Sequence, residues 1–175
     1  TAVLFVLIFL AGSLRYRGFF SGQVLLNLLI DNSYLIVLAI GMSFVILTGG
    51  IDLSVGAVVA LSTIIAARLL QAGWNPVAVI AVILVATSTL GLLVGLIIHI
   101  FKVQPFIATL AAMFLARGLC YIIAKESISI DHPFFVAMAN LRIPLGFGLS
   151  VSPSVVVALV ALAIGAWVLQ YTRFG

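Results

Sequence analysis

"PVAVIAVILVATSTLGLLVGLIIHIF", residues 76–101, is an apolar run that no formal charge interrupts. A helix needs about 20 apolar residues to cross the hydrocarbon core of a bilayer, so this run is long enough to span it. In lipid every backbone N–H and C=O group must be paired, which leaves helices and closed barrels as the only spanning structures. The apolar residues are continuous rather than alternating, which argues against a barrel strand. The run therefore predicts a transmembrane helix.

The rest of the chain has the same character. Of its 175 residues, 65% are hydrophobic and 7% are charged, whereas a soluble domain is about 45–50% apolar and about 25% charged. The net charge is +4, but the basic residues stand singly near predicted helix ends, as they do at membrane flanks. The composition predicts an all-α, polytopic transmembrane helix bundle in a lipid bilayer, with no nucleic-acid partner.

Six transmembrane helices are predicted, over residues 2–14, 33–47, 53–70, 76–101, 106–124 and 154–171. Residues 15–32 are amphipathic and fit either a short interfacial helix or a connecting loop. In the polar segment 125–153, we expect an interfacial helix that carries Phe134, Phe135, Met138 and Leu141. The chain starts without methionine and ends abruptly, so we expect residues 1–175 to be the N-terminal part of one membrane domain, truncated at both ends.

Enzymatic motifs are absent from the sequence. It has no P-loop pattern, no H-E-x-x-H and no G-x-S-x-G. Its single cysteine, Cys120, provides neither a disulfide framework nor a Cys-rich metal site. The two histidines, His99 and His132, are far apart in sequence and are interpreted as interfacial residues. We expect no catalytic residue, no metal and no cofactor.

The stretch "TGGIDLSVGA", residues 48–57, separates the second and third predicted helices. Gly49 and Gly50, together with Gly56, are expected to form the structural turn, because glycine adopts positive φ without strain. Asp52 fits the N-cap or first turn of the next helix, where orphan N–H groups and the helix dipole favour a carboxylate, and Ser54 can assist. Because both helices are predicted to be short, the turn lies either at a membrane face or below it, lining a cavity.

Two further features within the apolar runs are candidates for helix contacts. Gly91 and Gly95 form a small-xxx-small pattern that allows close approach of another helix, or they reflect chance in a glycine-rich run. Arg117 lies inside the fifth helix, where it either extends to the membrane face or faces the bundle interior and pairs with a carboxylate. The carboxylates considered for that pair are Glu126, Asp131 and Asp52.

Three stretches resemble one family. Residues 39–62, "AIGMSFVILTGGIDLSVGAVVALS", closely resemble the signature region of ribose-type sugar ABC-transporter permeases. Residues 103–119, "VQPFIATLAAMFLARGL", resemble the next characteristic segment, and "YTRFG" resembles the approach to that family's cytoplasmic coupling loop. Residues 124–135, "AKESISIDHPFF", look most like the galactofuranose permeases within it. The resemblance covers nearly the whole chain.

The resemblance implies a bacterial inner-membrane permease of about ten helices that works as a homo- or heterodimer. Its partners would be a second permease subunit, two cytoplasmic ATP-binding subunits and a periplasmic sugar-binding protein. The coupling loop would begin just after Gly175. The implied mechanism is alternating access for a monosaccharide such as galactofuranose or ribose, with ATP hydrolysis in the separate subunits. An ATP-independent secondary transporter and a structural membrane subunit are the alternatives.

The family topology puts the C-terminal "YTRFG" in the cytoplasm, and the positive-inside rule disagrees with it. On that topology only Lys102 and Arg173 are cytoplasmic. Five basic residues fall outside: Arg15, Arg17, Arg68, Lys125 and Arg142. We follow the family topology, because residues that precede this sequence are able to carry the charges that dominate orientation.

A neutral sugar needs hydroxyl, amide and carboxylate partners and an aromatic face on which to stack. Polar and aromatic residues within the apolar runs are therefore the candidate substrate pathway: Asn32, Ser43, Phe44, Thr48, Asp52, Ser54, Phe106, Thr109 and Arg117.

Overall fold

A computed structural model describes residues 2–16, 19, 21–146 and 149–172. These residues form seven helices and one hairpin: α1 Ala2–Arg15, α2 Gly22–Leu47, α3 Val55–Gln71, α4 Pro76–Phe101, α5 Pro105–Ile123, α6 Pro133–Asn140, β1 Ile143–Gly146, β2 Leu149–Val151 and α7 Pro153–Tyr171. The predictions that concern Arg17, Arg173 and Gly175 lie outside the described residues.

Four of the helices, α2, α4, α5 and α7, are long and apolar enough to cross a membrane, and α1 and α3 are shorter apolar helices. The prediction of an all-α polytopic membrane bundle is confirmed. The six predicted transmembrane helices correspond to α1–α5 and α7, and α4 has the predicted bounds. At 17 residues, α3 rises about 26 Å, which is less than the roughly 30 Å of the hydrocarbon core.

The prediction for α2 is wrong at its start. The structure has one helix of 26 residues in place of an interfacial segment followed by a short helix, and its rise of about 39 Å is enough for a full crossing. The polar residues that suggested a break are satisfied by the backbone of the helix itself. The Asn32 amide donates to the Leu28 carbonyl at 2.8 Å, and the Ser33 hydroxyl donates to the Ile30 carbonyl at 3.0 Å. The helix therefore continues through them.

Proline marks the start of four helices. It is the first residue of α4, α5, α6 and α7, where its fixed φ suits a helix and its missing N–H has no partner to lose. At α4, the Asn75 side-chain oxygen also accepts the Val77 N–H at 2.9 Å. The sequence prediction that Pro76 begins this helix is confirmed.

The chain forms two compact units, and the boundary between them falls once in α2 and once in α6. One unit holds the described residues up to Ile40 and those from Met138 to Thr172, and the other holds Gly41–Ala137. In the second unit α3 packs on α4 and α5, and α4 also packs on α5. Small side chains dominate the buried contact between α3 and α5, which is formed by Ala57, Leu61, Ala116 and Cys120. Small residues let apolar helices approach closely in a membrane protein.

The polar segment between α5 and α7 contains a short helix at the predicted place and a hairpin that was not predicted. Helix α6 includes Phe134, Phe135 and Met138, while Leu141 lies just beyond its end. Phe135 packs against a buried cluster of Ala66, Leu70 and Val79, whereas Phe134 and Met138 are exposed. Strands β1 and β2 then pair in antiparallel fashion, with an irregular register next to Gly146, whose φ is +88°.

Candidate functional site

The turn between α2 and α3 is a Schellman motif built around Gly49. The Gly50 N–H donates to the Val45 carbonyl at 3.1 Å, and the Gly49 N–H donates to the Ile46 carbonyl at 2.9 Å. This pair of bonds satisfies carbonyls that the end of a helix leaves free, and it requires a left-handed residue after the last turn. Gly49 is that residue, with φ +75°, whereas Gly50 does not have a positive φ.

Helix α3 begins at Val55 with Ser54 as its N-cap, so Asp52 lies two residues before the cap. The prediction that Asp52 is the N-cap or a first-turn residue is therefore corrected. Asp52 Oδ1 instead accepts two hydrogen bonds from Ser54, one from the backbone N–H at 2.7 Å and one from the hydroxyl at 2.6 Å. The Ser54 side chain makes no capping bond itself. The Asp52 carboxylate thus holds the N-cap residue Ser54 in place and makes no hydrogen bond to the N–H groups of α3 itself.

A threonine on α5 joins this arrangement. The Thr109 Oγ1 lies 3.1 Å from the Ile51 carbonyl, and also 2.9 Å from the Pro105 carbonyl in its own helix. The Thr109 hydroxyl has one proton to donate, so these carbonyls compete for it. Ile51, Asp52, Ser54 and Thr109 are called the α3-start cluster below. It connects the segment before α3 to the first turn of α5.

Burial divides the members of the α3-start cluster by what they can contact. Ser54 and Thr109 are 5% and 4% exposed. The Ser54 hydroxyl donates to Asp52, and the Thr109 hydroxyl proton is shared between the Ile51 and Pro105 carbonyls. Asp52 is half-buried, and its Oδ2 accepts no hydrogen bond from the residues that the structure describes. The carboxylate lies close to the N-terminus of α3, where the positive end of the helix dipole favours its charge. Asp52 therefore has one oxygen engaged and one open.

Two more predicted pathway residues, Ser43 and Phe44, lie near the end of α2, and a third, Thr48, directly follows it. The Thr48 N–H donates to the Phe44 carbonyl at 3.2 Å, so the two residues are neighbours, with Phe44 half-buried and Thr48 exposed. The Thr48 hydroxyl donates to the Val45 carbonyl at 2.7 Å. Ser43 is exposed and has a partner of its own. On α5, Phe106 is exposed one turn before Thr109.

Some predicted residues are not brought to this site. Asn32 belongs to the other compact unit. Gly56 lies inside the first turn of α3 and has no positive φ, so its predicted role in the turn is corrected. A Cβ placed on Gly91 or Gly95 would have no atom within 4 Å in the described chain. No helix of that part of the chain packs on this α4 face, and its role in helix contacts stays a prediction.

Arg117 is exposed on α5. It has neither a hydrogen bond nor an ion pair with any residue in the described ranges. The predicted pairing with Glu126, Asp131 or Asp52 is therefore not formed in this structure. Arg117 lies six residues before the end of the helix at Ile123, about 9 Å along the axis, which is within reach of a long arginine side chain.

Sequence reasoning missed two features that carry polar groups. Gln23, on the first turn of α2, exchanges two hydrogen bonds with the backbone of Ser150 in β2. The two residues are 127 positions apart, and no local pattern pairs them.

A polar groove lined by Arg68, Lys125 and Glu126, among others, lies where α3 and α5 end. The isolated charges at predicted helix ends were its only signal in the sequence.

Residues 24–175 match the family described as "Branched-chain amino acid transport system / permease component". The chain belongs to this permease family. With its four apolar spans, the permease chain is a multi-pass protein of the inner membrane, as the sequence predicts. No solved structure matches it.

Curated relatives support the ribose-type resemblance of this permease chain. It is 40% identical to the inner membrane ABC transporter permease protein YjfF of Escherichia coli, over 100% of this chain and 53% of the relative. It is 38% identical to the fructose import permease protein FruG of Bifidobacterium longum, over 99% of this chain and 53% of the relative. Identity to the ribose import permease protein RbsC of Escherichia coli is 35%, over 98% of this chain and 53% of the relative.

The permease chain spans about half the length of these curated relatives. Its membership of the ribose-type sugar permeases is confirmed. The names of these relatives specify fructose and ribose and do not mention galactofuranose.

Proposed function

We propose that this chain is the N-terminal part of a permease subunit of an ABC importer, which moves a neutral monosaccharide across the inner membrane by alternating access. The observation that carries the proposal is similarity over nearly the whole chain, at 35–38% identity, to permeases named for ribose and fructose import. Galactofuranose and ribose are the sugars that the sequence favours. The proposed partners are a second permease subunit, two ATP-binding subunits and a periplasmic sugar-binding protein.

The proposed role needs no covalent chemistry from the chain itself. We infer that the chain supplies a path and that ATP hydrolysis in a separate subunit supplies the free energy. In alternating access the permease exchanges between an inward-open and an outward-open conformation. ATP shifts this equilibrium because it binds more tightly to the transporter in one conformation than in the other.

We propose that the path runs beside the α3-start cluster. Thr48 and Phe44 provide a hydroxyl and an aromatic ring at the C-terminal end of α2, and Asp52 has an open Oδ2. A sugar hydroxyl can donate to that oxygen, and the ring provides an apolar surface for a sugar ring. Ser54 and Thr109 are buried, so we assign them to positioning the cluster rather than to contact with the sugar.

The test is reconstitution of the full-length permease with its ATP-binding subunits and sugar-binding protein in proteoliposomes. We expect labelled sugar to accumulate only when ATP reaches the ATP-binding subunits, and we expect the sugar-loaded binding protein to stimulate ATPase activity. Galactofuranose and ribose, tested separately, identify the substrate. A matched control carries an ATP-binding subunit that cannot hydrolyse ATP.

Two results would contradict the proposal. Uptake that follows an ion gradient and ignores ATP would make the protein a secondary transporter. A permease that never co-purifies with an ATP-binding subunit and gives no uptake would be a structural membrane subunit instead.

A further inference from the structure

A polar groove of about 570 Å³ lies between the C-terminal ends of α3 and α5 and the loop that follows α5. Arg68 and Gln71 border it from the last turn of α3, and Lys125, Glu126 and Ser127 border it from the loop. Its volume falls within the range of about 300–1,000 Å³ that is usual for small-ligand sites. The groove belongs entirely to the unit formed by Gly41–Ala137.

The charged groups of this groove are free to bind a ligand. The Arg68 Nε–H donates to the Ile123 carbonyl at 3.1 Å, which anchors the guanidinium and leaves its terminal N–H groups available. Lys125 and Glu126 are exposed, and within the described ranges neither forms a hydrogen bond or an ion pair. The groove thus presents two cations and one carboxylate, with no ion pair formed among them.

The position of the groove places it at the edge of the bilayer. The apolar helices α3 and α5 both end beside it. Trp74, just after α3, is 47% exposed, and Tyr121, in the last turn of α5, is 72% exposed. Tryptophan and tyrosine are enriched where membrane meets water, at the level of the lipid headgroups. We therefore consider a lipid headgroup as the ligand of this groove.

We propose that the groove binds the headgroup of phosphatidylethanolamine. Arg68 and Lys125 bind the phosphate, and Glu126 accepts hydrogen bonds from the primary ammonium group. A purely anionic ligand, such as the headgroup of phosphatidylglycerol, would meet repulsion from Glu126. A choline headgroup carries the same charges but has no N–H to donate. The combination of charges thus selects a zwitterion with a hydrogen-bonding cation.

The test measures lipid retention by native mass spectrometry on the full-length permease after delipidation. Dioleoyl phosphatidylethanolamine, phosphatidylglycerol and phosphatidylcholine are added back separately. We expect the wild type to retain phosphatidylethanolamine best. Because one basic residue near a lipid surface is worth about 1 kcal/mol, Lys125→Gln should lower this retention about fivefold.

Glu126→Gln provides the discriminating result, because it should lower the preference for phosphatidylethanolamine and raise retention of phosphatidylglycerol. A merely structural role of Glu126 would not exchange one lipid for the other. Lys102→Gln is the matched control, because Lys102 is an exposed lysine between α4 and α5 that does not border the groove. It should leave lipid retention unchanged.

Several outcomes would overturn the inference. Equal retention of the three lipids by the wild type would do so, as would equal losses in Lys125→Gln and Lys102→Gln. Displacement of the lipid by millimolar inorganic phosphate would make free phosphate the ligand. If the two groove variants weakened docking of the sugar-binding protein and left lipid retention unchanged, the groove would be a protein interface.

Discussion

At the scale of single residues, Asp52 has two separable roles. Its Oδ1 fixes Ser54 through bonds of 2.6 and 2.7 Å, while its Oδ2 is open. Asp52→Ala removes both bonds and should lower the free energy of unfolding by about 1–2 kcal/mol. Asp52→Asn keeps an acceptor at Oδ1 and places a donor at Oδ2, so the permease should stay folded but lose sugar uptake.

The two Asp52 variants are compared by thermal unfolding in detergent and by ATP-dependent uptake in proteoliposomes. If Asp52→Asn retains both wild-type stability and wild-type uptake, the carboxylate does not contact the sugar. If Asp52→Ala is as stable as the wild type, the bonds to Ser54 do not hold the start of α3.

Thr109 gives a second test at this scale. Thr109→Val keeps the shape of the side chain but leaves the Ile51 carbonyl without its partner on α5. Loss of a buried hydrogen bond in this way should cost about 1–3 kcal/mol of unfolding free energy. Thr109→Ser keeps the hydroxyl and should be closer to the wild type. Equal midpoints of thermal unfolding for the two variants would show that the hydroxyl contributes nothing.

At the scale of elements, Gly49 and Gly56 are neighbouring glycines for which substitution by alanine should change the free energy of unfolding in opposite directions. Gly49 has φ +75°, where an L side chain costs about 1–2 kcal/mol, so Gly49→Ala should destabilise the permease. Gly56 lies in α3 with open space around it, and alanine there should stabilise the helix by as much as about 1 kcal/mol. Thermal unfolding of both variants checks the prediction, and shifts of the same sign would contradict it.

The hairpin offers the second prediction for an element. The Gln23 amide donates to the Ser150 carbonyl at 3.1 Å and accepts the Ser150 N–H at 2.8 Å, as a neighbouring strand would. Gln23→Leu should therefore increase hydrogen exchange at the Ser150 amide and proteolysis in the hairpin. Gln104→Leu is the control, because the Gln104 side chain makes no capping bond at α5. Equal exchange in the two variants would show that Gln23 does not hold β2.

At the scale of the whole molecule, the packing of α3 on α5 depends on small side chains. Ala116 is fully buried in this contact, and a larger side chain there forces the helices apart. Ala116→Leu should cost about 1–3 kcal/mol of unfolding free energy. Ala111→Leu, on the exposed face of the same helix, should be nearly neutral. A small effect of Ala116→Leu in thermal unfolding would mean that α3 and α5 separate without penalty.

The sequence determined the features that depend on local composition. Long apolar runs must become helices in lipid because no other partner exists for their backbone groups, and this fixed the class of the protein and the bounds of α4. Asn75 and Pro76 set a helix start, and Gly49 sets a turn, because their backbone preferences act within a few residues. The "GGIDLSVG" stretch identified the family before any contact was known.

Only the tertiary structure decided features that depend on contacts between distant residues. The continuity of α2 past Asn32 was missed because a polar side chain that bonds to its own helix looks the same in sequence as one that ends it. The pairing of Thr109 with Ile51, and of Gln23 with Ser150, joins residues 58 and 127 positions apart. Such pairs are set by how the elements pack, which is why the α3-start cluster and the polar groove emerged only from the fold.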